Sequence, residues 1–143
     1  MTDTVKQTLA SQIDTAIDLI KSGKQVEGDK LIQQIAEQYP EHYLSLYGQG
    51  LIAAFMGNHE KAQLYFEQSI AIEPDYALAH YNLGFCLQKL NQIDLMIKHF
   101  YLALQHASDE ELELLAHVEE AIQEFSENLP QGMTVEDFIA QAK

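Results

Sequence analysis

The stretch LYGQGLIAAFMGNHEKAQLYFEQSIAIEPDYA, Leu46 to Ala77, is followed by YNLGFCLQKLNQIDLMIKHFYLALQHAS, Tyr81 to Ser108, and the two run in step. Gly50 pairs with Gly84 and Phe66 with Phe100 at one and the same offset. That offset also pairs Gly57 with Asn91, Ala62 with Met96 and Ser69 with Ala103. A fixed period of this length marks an array of similar supersecondary units, each too small to bury its apolar face alone. Small residues at Gly50, Gly84 and Ala62 let paired helices approach to about 8–10 Å. Phe66 and Phe100 then fill the space between successive hairpins.

The pattern resembles the tetratricopeptide repeat, in which a large apolar residue, Leu, Gly or Ala, an aromatic, Ala, Phe, Ala and Pro recur at set offsets over a period of about 34 residues. With repeats starting at Tyr43 and Ala77, the middle one supplies Leu46, Gly50, Ala62, Phe66, Ser69 and Pro74, and the next supplies Leu83, Gly84, Leu87, Phe100 and Ala103. One period earlier, from Leu9, the punctuation survives: Gly23 sits at the turn, Ile32 at the Phe position, and Pro40 at the place that Pro74 holds in the middle repeat. Gln12, Thr15 and Gly28 depart from the pattern, so this is a degenerate first repeat, as terminal repeats often are. The implied fold is all-α: a right-handed α-solenoid of three helix hairpins, with repeats at about 9–42, 43–76 and 77–110.

Helices are expected near 4–21, 25–38, 42–56, 59–72, 75–90 and 93–107, with Gly or Asn at each turn where a helix end favours left-handed backbone. Pro74 is expected to open the fifth helix, since a first-turn residue needs no amide hydrogen. After Ala107 the repeat stops. Ser108-Asp-Glu-Glu111 reads as a capping box for a helix over 109–129, whose stripe Leu115, Val118, Ile122, Phe125 and Leu129 would cover the open end of the last repeat. The repeat domain is thus expected over 1–129. Residues 130–143 then form a linker through Pro130 and Gly132 and a short terminal helix from Thr134, bearing Phe138 and Ile139.

Composition narrows the function. The net charge is −14 and all eight basic residues are lysines. Nucleic acid is disfavoured, because phosphate contacts need clustered Lys and Arg. The acid excess is uneven: residues 109–143 carry ten acids and one lysine. A single cysteine, Cys86, permits no internal disulfide and reads as a buried, inert thiol. The polar start and the short longest apolar run, Leu51–Met56, give no signal peptide and no membrane span, so a cytoplasmic protein is expected. The six histidines form no metal-binding spacing, the glycines no phosphate loop, and the acid pairs Glu110-Glu111 and Glu119-Glu120 lie on a solvated helix. No enzyme, metal or cofactor is expected.

The resemblance implies a concave groove lined by the first helix of each pair. Carried over residue by residue, the groove takes Leu44, Tyr47, Leu51 and Ala54 with Phe55 from the middle repeat, and Leu78, Tyr81, Asn82, Phe85 and Gln88 from the next. Ala10, Ile13, Ile17 and Ile20 would come from the first; rolled by one position, that helix puts Ile13, Ile17 and Ile20 into the core instead. Plain core remains the alternative for the later rows as well. The family branch that captures acidic C-termini uses a Lys and Asn clamp, of which only Asn82 is retained here. An apolar, tyrosine-rich groove suits an extended apolar segment or the apolar face of a helix. In size and surface the chain is similar to the acidic three-repeat chaperones of bacterial secretion systems. The expected role is therefore a non-catalytic adaptor or chaperone for a protein partner. The alternative is a self-associating protein whose groove is filled by another copy or by its own terminal helix.

Overall fold

The computed structural model describes residues 2–126 together with Gly132, Thr134 and Asp137, and all regular structure among them is helical. The chain divides into two compact units, Met1–Ile72 and Glu73–Lys143. The first contains α1 (Thr2–Lys21), α2 (Gln25–Gln38), α3 (Tyr43–Phe55) and α4 (His59–Ile72). The second contains α5 (Ala77–Lys89), α6 (Ile93–His106), a 3-10 turn (Asp109–Glu111) and α7 (Leu112–Ser126). Helices α1 with α2, α3 with α4 and α5 with α6 form antiparallel hairpins; α3 also packs on α1 and α2, and α7 on α6.

Each hairpin turns by the same device. At the end of α3, Gly57 has φ +80°, its amide donates to the Ala54 carbonyl at 3.0 Å, and the Asn58 amide donates to Ala53 at 2.9 Å. This is a Schellman cap, which satisfies the last carbonyls of the helix and aims the chain back along it. One period earlier Gly23 (φ +84°) does the same through Gly23 to Ile20 and Lys24 to Leu19. One period later Asn91 (φ +60°) repeats it with Gln88, and Gln92 with Leu87.

The core keeps the same period. Leu9, Ile13, Ala16, Gly28, Ile32 and Ile35 are buried, and they stand one period before Tyr43, Tyr47, Gly50, Ala62, Phe66 and Ser69, which are buried too. In the third hairpin Ala77, Gly84, Met96, Phe100 and Ala103 continue these rows. The first repeat is degenerate in its residues and regular in its geometry. Ile13 is core, 3% exposed, while Ile17 and Ile20 are half-buried.

Close approach explains the glycines within the hairpins. A Cβ on Gly50 would stand 2.6 Å from the Phe66 ring, and one on Gly84 would stand 2.4 Å from the Phe100 ring. Gly28, at the position where the middle repeat has Ala62, would place a Cβ 2.8 Å from the Ala16 carbonyl oxygen. The first hairpin therefore brings α2 backbone against α1 more tightly than an alanine allows. A buried hydrogen bond adds to the second: the Ser69 hydroxyl donates to the Tyr43 carbonyl at 2.9 Å, tying α4 to the start of α3.

Two expectations need correction. Pro74 does not open a helix; it lies in the turn before α5, which begins at Ala77. Its carbonyl is taken by the His80 ring at 2.7 Å, and that contact fixes the turn. The capping box at Ser108 is only half formed. Glu111 Oε1 accepts from the Ser108 amide at 3.0 Å, but the Ser108 hydroxyl donates to the same oxygen at 3.1 Å. The result is the 3-10 turn, with α7 starting at Leu112. In α7, Val118 is fully buried and Ile122 half-buried. The side chains of Leu115 and Phe125 lie outside the described residues, as do Leu129, Phe138 and Ile139. Thr134 and Asp137 pair reciprocally: Thr134 Oγ1 accepts from the Asp137 amide at 3.1 Å, and Asp137 Oδ2 accepts from the Thr134 amide at 3.3 Å.

Candidate peptide-binding face

The two candidate rows occupy equivalent positions on α3 and α5 but differ in burial. On α3, Leu44, Tyr47 and Leu51 are 3, 5 and 7% exposed, and only Phe55, at 46%, stands open. The cause is local. Tyr47 packs its ring on Phe66 of α4, with centroids 5.7 Å apart. Gly48 lets Ile13 of α1 and Ile32 of α2 reach the α3 backbone, with Ile32 Cδ1 only 3.1 Å from where a Cβ would stand. Helix α3 is thus enclosed by the three other helices of its unit, and most of its row is core.

On α5, Leu78, Tyr81 and Asn82 are half-buried, Phe85 is 37% exposed and Gln88 is exposed. Tyr81 and Phe85, one helical turn apart, meet edge-to-face at 4.8 Å. Phe85 in turn meets the buried Phe100 of α6 edge-to-face at 5.1 Å, and Tyr81 tilts over Phe100 at 6.3 Å. This geometry is the favourable one for aromatic quadrupoles. The three rings form a step from core to surface, with Gly84 as the gap that admits Phe100. Burial raises the Tyr81 phenol above its ordinary pKa, so it remains a neutral group with an apolar body. Asn82 Nδ2 donates to the Leu78 carbonyl of its own helix at 2.9 Å, which holds the amide against α5.

Chemical machinery is sparse among the described residues. No group of three metal-ligating side chains converges there, and no helix there is long and apolar enough to cross a membrane. Cys86 is buried, and desolvation pushes its thiol up to about 11, where thiolate chemistry is suppressed. The first unit also holds an open pocket of about 460 Å³, with Ile32, Ile52 and Ala53 as its floor and Asp29, Gln33 and Lys61 among its rim.

One cluster escaped the sequence reading. His80 of α5 and His99 of α6 approach Nδ1 to Nδ1 at 3.0 Å, and their rings stack at 5.3 Å. His106, at the end of α6, stacks over His80 at 6.1 Å and places Nε2 3.7 Å from Asp75. The placing of His99 and His106 two turns apart on one helix carried the signal; their meeting with His80 needed the hairpin.

Comparison with known families and structures agrees with this geometry. One tetratricopeptide-repeat profile matches residues 43–76 and a second matches residues 65–98. No curated protein matches the chain. Among solved structures, the type III secretion translocator chaperone SycD of Yersinia enterocolitica is similar in fold, with a TM-score of 0.72 at 17% identity over 86% of each chain. SycD in complex with a peptide of the translocator YopD gives 0.71 at 17% identity, over 85% of this chain and 95% of that one. PcrH in complex with the chaperone-binding region of PopD gives 0.71 at 16% identity, over 86% of this chain and 94% of that one. With the recurring turns, the buried rows and the glycine–phenylalanine contacts, the profile matches identify residues 43–98 as tetratricopeptide repeats.

Proposed function

We propose that the chain is a non-catalytic peptide-binding module, of adaptor or chaperone type, that holds an apolar segment of a protein partner on the exposed face of α5. The observation that carries this reading is Phe85, an aromatic side chain left 37% exposed on an ordered stack with Tyr81 and Phe100. Leu78 and Gln88 extend the row along the helix, and Asn82 flanks it. Leu44, Tyr47 and Leu51 support α3 from within, which leaves Phe55 as the open member of the row in the first unit. The similar chaperones solved with translocator peptides support a partner that is itself a polypeptide. Fully burying one apolar side chain yields about 1.5–3 kcal/mol. Three or four such anchors suffice for a reversible complex after the cost of association.

Affinity capture from the host extract, read by mass spectrometry, tests the assignment. Tyr81→Ala/Phe85→Ala is expected to lose the partner that the wild type retains, with binding weakened at least about tenfold, or about 1.4 kcal/mol. Equal recovery by both proteins rejects the α5 face. A self-filled groove, occupied by the segment from Thr134 or by a second copy, is the competing reading, favoured by Phe138 and Ile139 in the sequence. Light scattering with full-length and 1–129 chains separates the two. A shift of mass, or newly exposed apolar surface after truncation, favours self-occupancy.

A further inference from the structure

We propose that the pocket of the first unit is half of a self-association surface, through which two copies of this chain meet by their α2, α3 and α4 helices. Helix α3 packs on both α2 and α4 and floors the space between them with Ile52 and Ala53, and Ile32 of α2 completes the apolar base. On a helix, Gln49, Ile52 and Met56 share one face, while Leu44, Tyr47 and Leu51 share the opposite one. The pocket of about 460 Å³ therefore opens on the side of α3 away from the candidate peptide row.

The rim of this pocket is the most exposed apolar surface of the molecule. Val26, Met56 and Leu64 are the three most exposed large apolar side chains among the described residues, at 77, 67 and 61%. Met56 lines the pocket; Val26 lies one turn before Asp29 on α2, and Leu64 one turn after Lys61 on α4. Three such side chains around one cleft form a patch that association removes from water. Met56, unbranched and flexible, can fold into an opposing cleft of irregular shape.

Charge selects the occupant. With a net charge of −14, two copies of the chain repel one another over most of their surface. Residues 24–30 and 49–65, by contrast, hold three acids and three lysines, which makes this face locally neutral. Asp29 stands on the α2 wall and Lys61 on the α4 wall, and neither has an ion-pair partner among the described residues. One acid and one base on opposite walls are self-complementary. A twofold axis running along the groove sets each copy's Lys61 against the other's Asp29, and Met56 near its counterpart. Both charge pairs form together, and they fix the orientation of the two copies.

Sedimentation velocity on the full-length protein tests this surface. The wild type is expected to pass from monomer to dimer as its concentration rises toward about 100 μM. Lys61→Asp and Asp29→Lys are each expected to weaken the dimer at least about tenfold, and an equimolar mixture of the two variants to restore it, because the reversed charges pair across the mixed interface. Asp29→Lys also separates pairing from bulk charge. It makes the chain less negative, so general repulsion alone predicts tighter association, whereas loss of the pair predicts weaker. Tyr81→Ala/Phe85→Ala is expected to leave the dimer unchanged, which distinguishes this surface from the α5 face and from a groove filled by a second copy. A wild type that stays monomeric overturns the proposal, as does a dimer indifferent to both charge reversals. A mixture no better than its components, or a dimer lost with Tyr81→Ala/Phe85→Ala, overturns it as well.

Discussion

Phe100 and Gly84 define one another: the ring occupies the space that any side chain on the helix opposite would need, at 2.4 Å from an added Cβ. Gly84→Ala is therefore expected to cost about 1–3 kcal/mol by overpacking, even though alanine is the better helix former. Urea unfolding measures it, and Phe100→Leu should remove much of the penalty, so the two substitutions together will cost less than the sum of their separate effects. Additive costs would show that the ring is not what the glycine accommodates. Two buried serines make a second contrast at this scale. Ser69 gives its hydroxyl hydrogen to the Tyr43 carbonyl, whereas Ser45 Oγ is fully buried and has no hydrogen-bond partner among the described residues. Ser69→Ala is expected to cost about 1 kcal/mol, and Ser45→Ala to stabilise by about 0.5–2 kcal/mol, because it removes an unsatisfied polar group from the core. Alanine is already present one period later, at Ala79. A Ser45→Ala protein less stable than the wild type would mean that the hydroxyl has a partner.

At the scale of the element, the three Schellman turns at Gly23, Gly57 and Asn91 set where each hairpin reverses. Nothing lies within 4 Å of a Cβ built on Gly57, so Gly57→Ala isolates the backbone effect. Left-handed backbone costs a Cβ-bearing residue about 1–2 kcal/mol, which is the destabilisation expected. Asn91→Gly should be neutral or slightly stabilising, since glycine takes this conformation freely. Thermal unfolding of both variants checks the pair, and equal effects at the two sites would show that the turn is not the common element. These turns were legible in the sequence because a backbone constraint selects one or two residue types wherever it occurs. The candidate face was less so. Tyr47 and Tyr81 hold the same position in their repeats, yet Tyr47 is core and Tyr81 half-buried. A repeat position specifies the direction of a side chain; its exposure depends on what else packs there, and Ile13, Ile32 and Phe66 enclose α3. Pro74 was misplaced for a related reason. Its fixed φ suits a helix start or a turn equally, and the choice was made by a distant ring, His80.

At the scale of the whole molecule, nearest-neighbour packing lets a chain expected to form one domain over 1–129 divide into compact units at Ile72 and Glu73. Charge, by contrast, acts across the full length. A net charge of −14, with no arginine to form bidentate pairs, means that the folded chain concentrates repulsion that the unfolded chain dilutes. Among the described residues, the approach of His106 Nε2 to Asp75 at 3.7 Å is the one contact of a basic side chain with a carboxylate, and it is attractive as an ion pair only when the ring is protonated. Salt should therefore stabilise this protein, because there are few attractive pairs for it to screen and many repulsive ones. Raising NaCl from about 10 to about 150 mM shortens the screening length from about 30 to about 8 Å. A gain of about 1 kcal/mol at neutral pH would raise the unfolding midpoint by about 2–8 °C. The acid-rich stretch 109–143 should respond most, so hydrogen exchange in α7 is expected to slow more than in α3 as salt is added. A midpoint that falls with NaCl over this range would mean that attractive pairs outweigh the net charge. A uniform slowing of exchange along the chain would place the repulsion in the molecule as a whole and not in its C-terminal quarter.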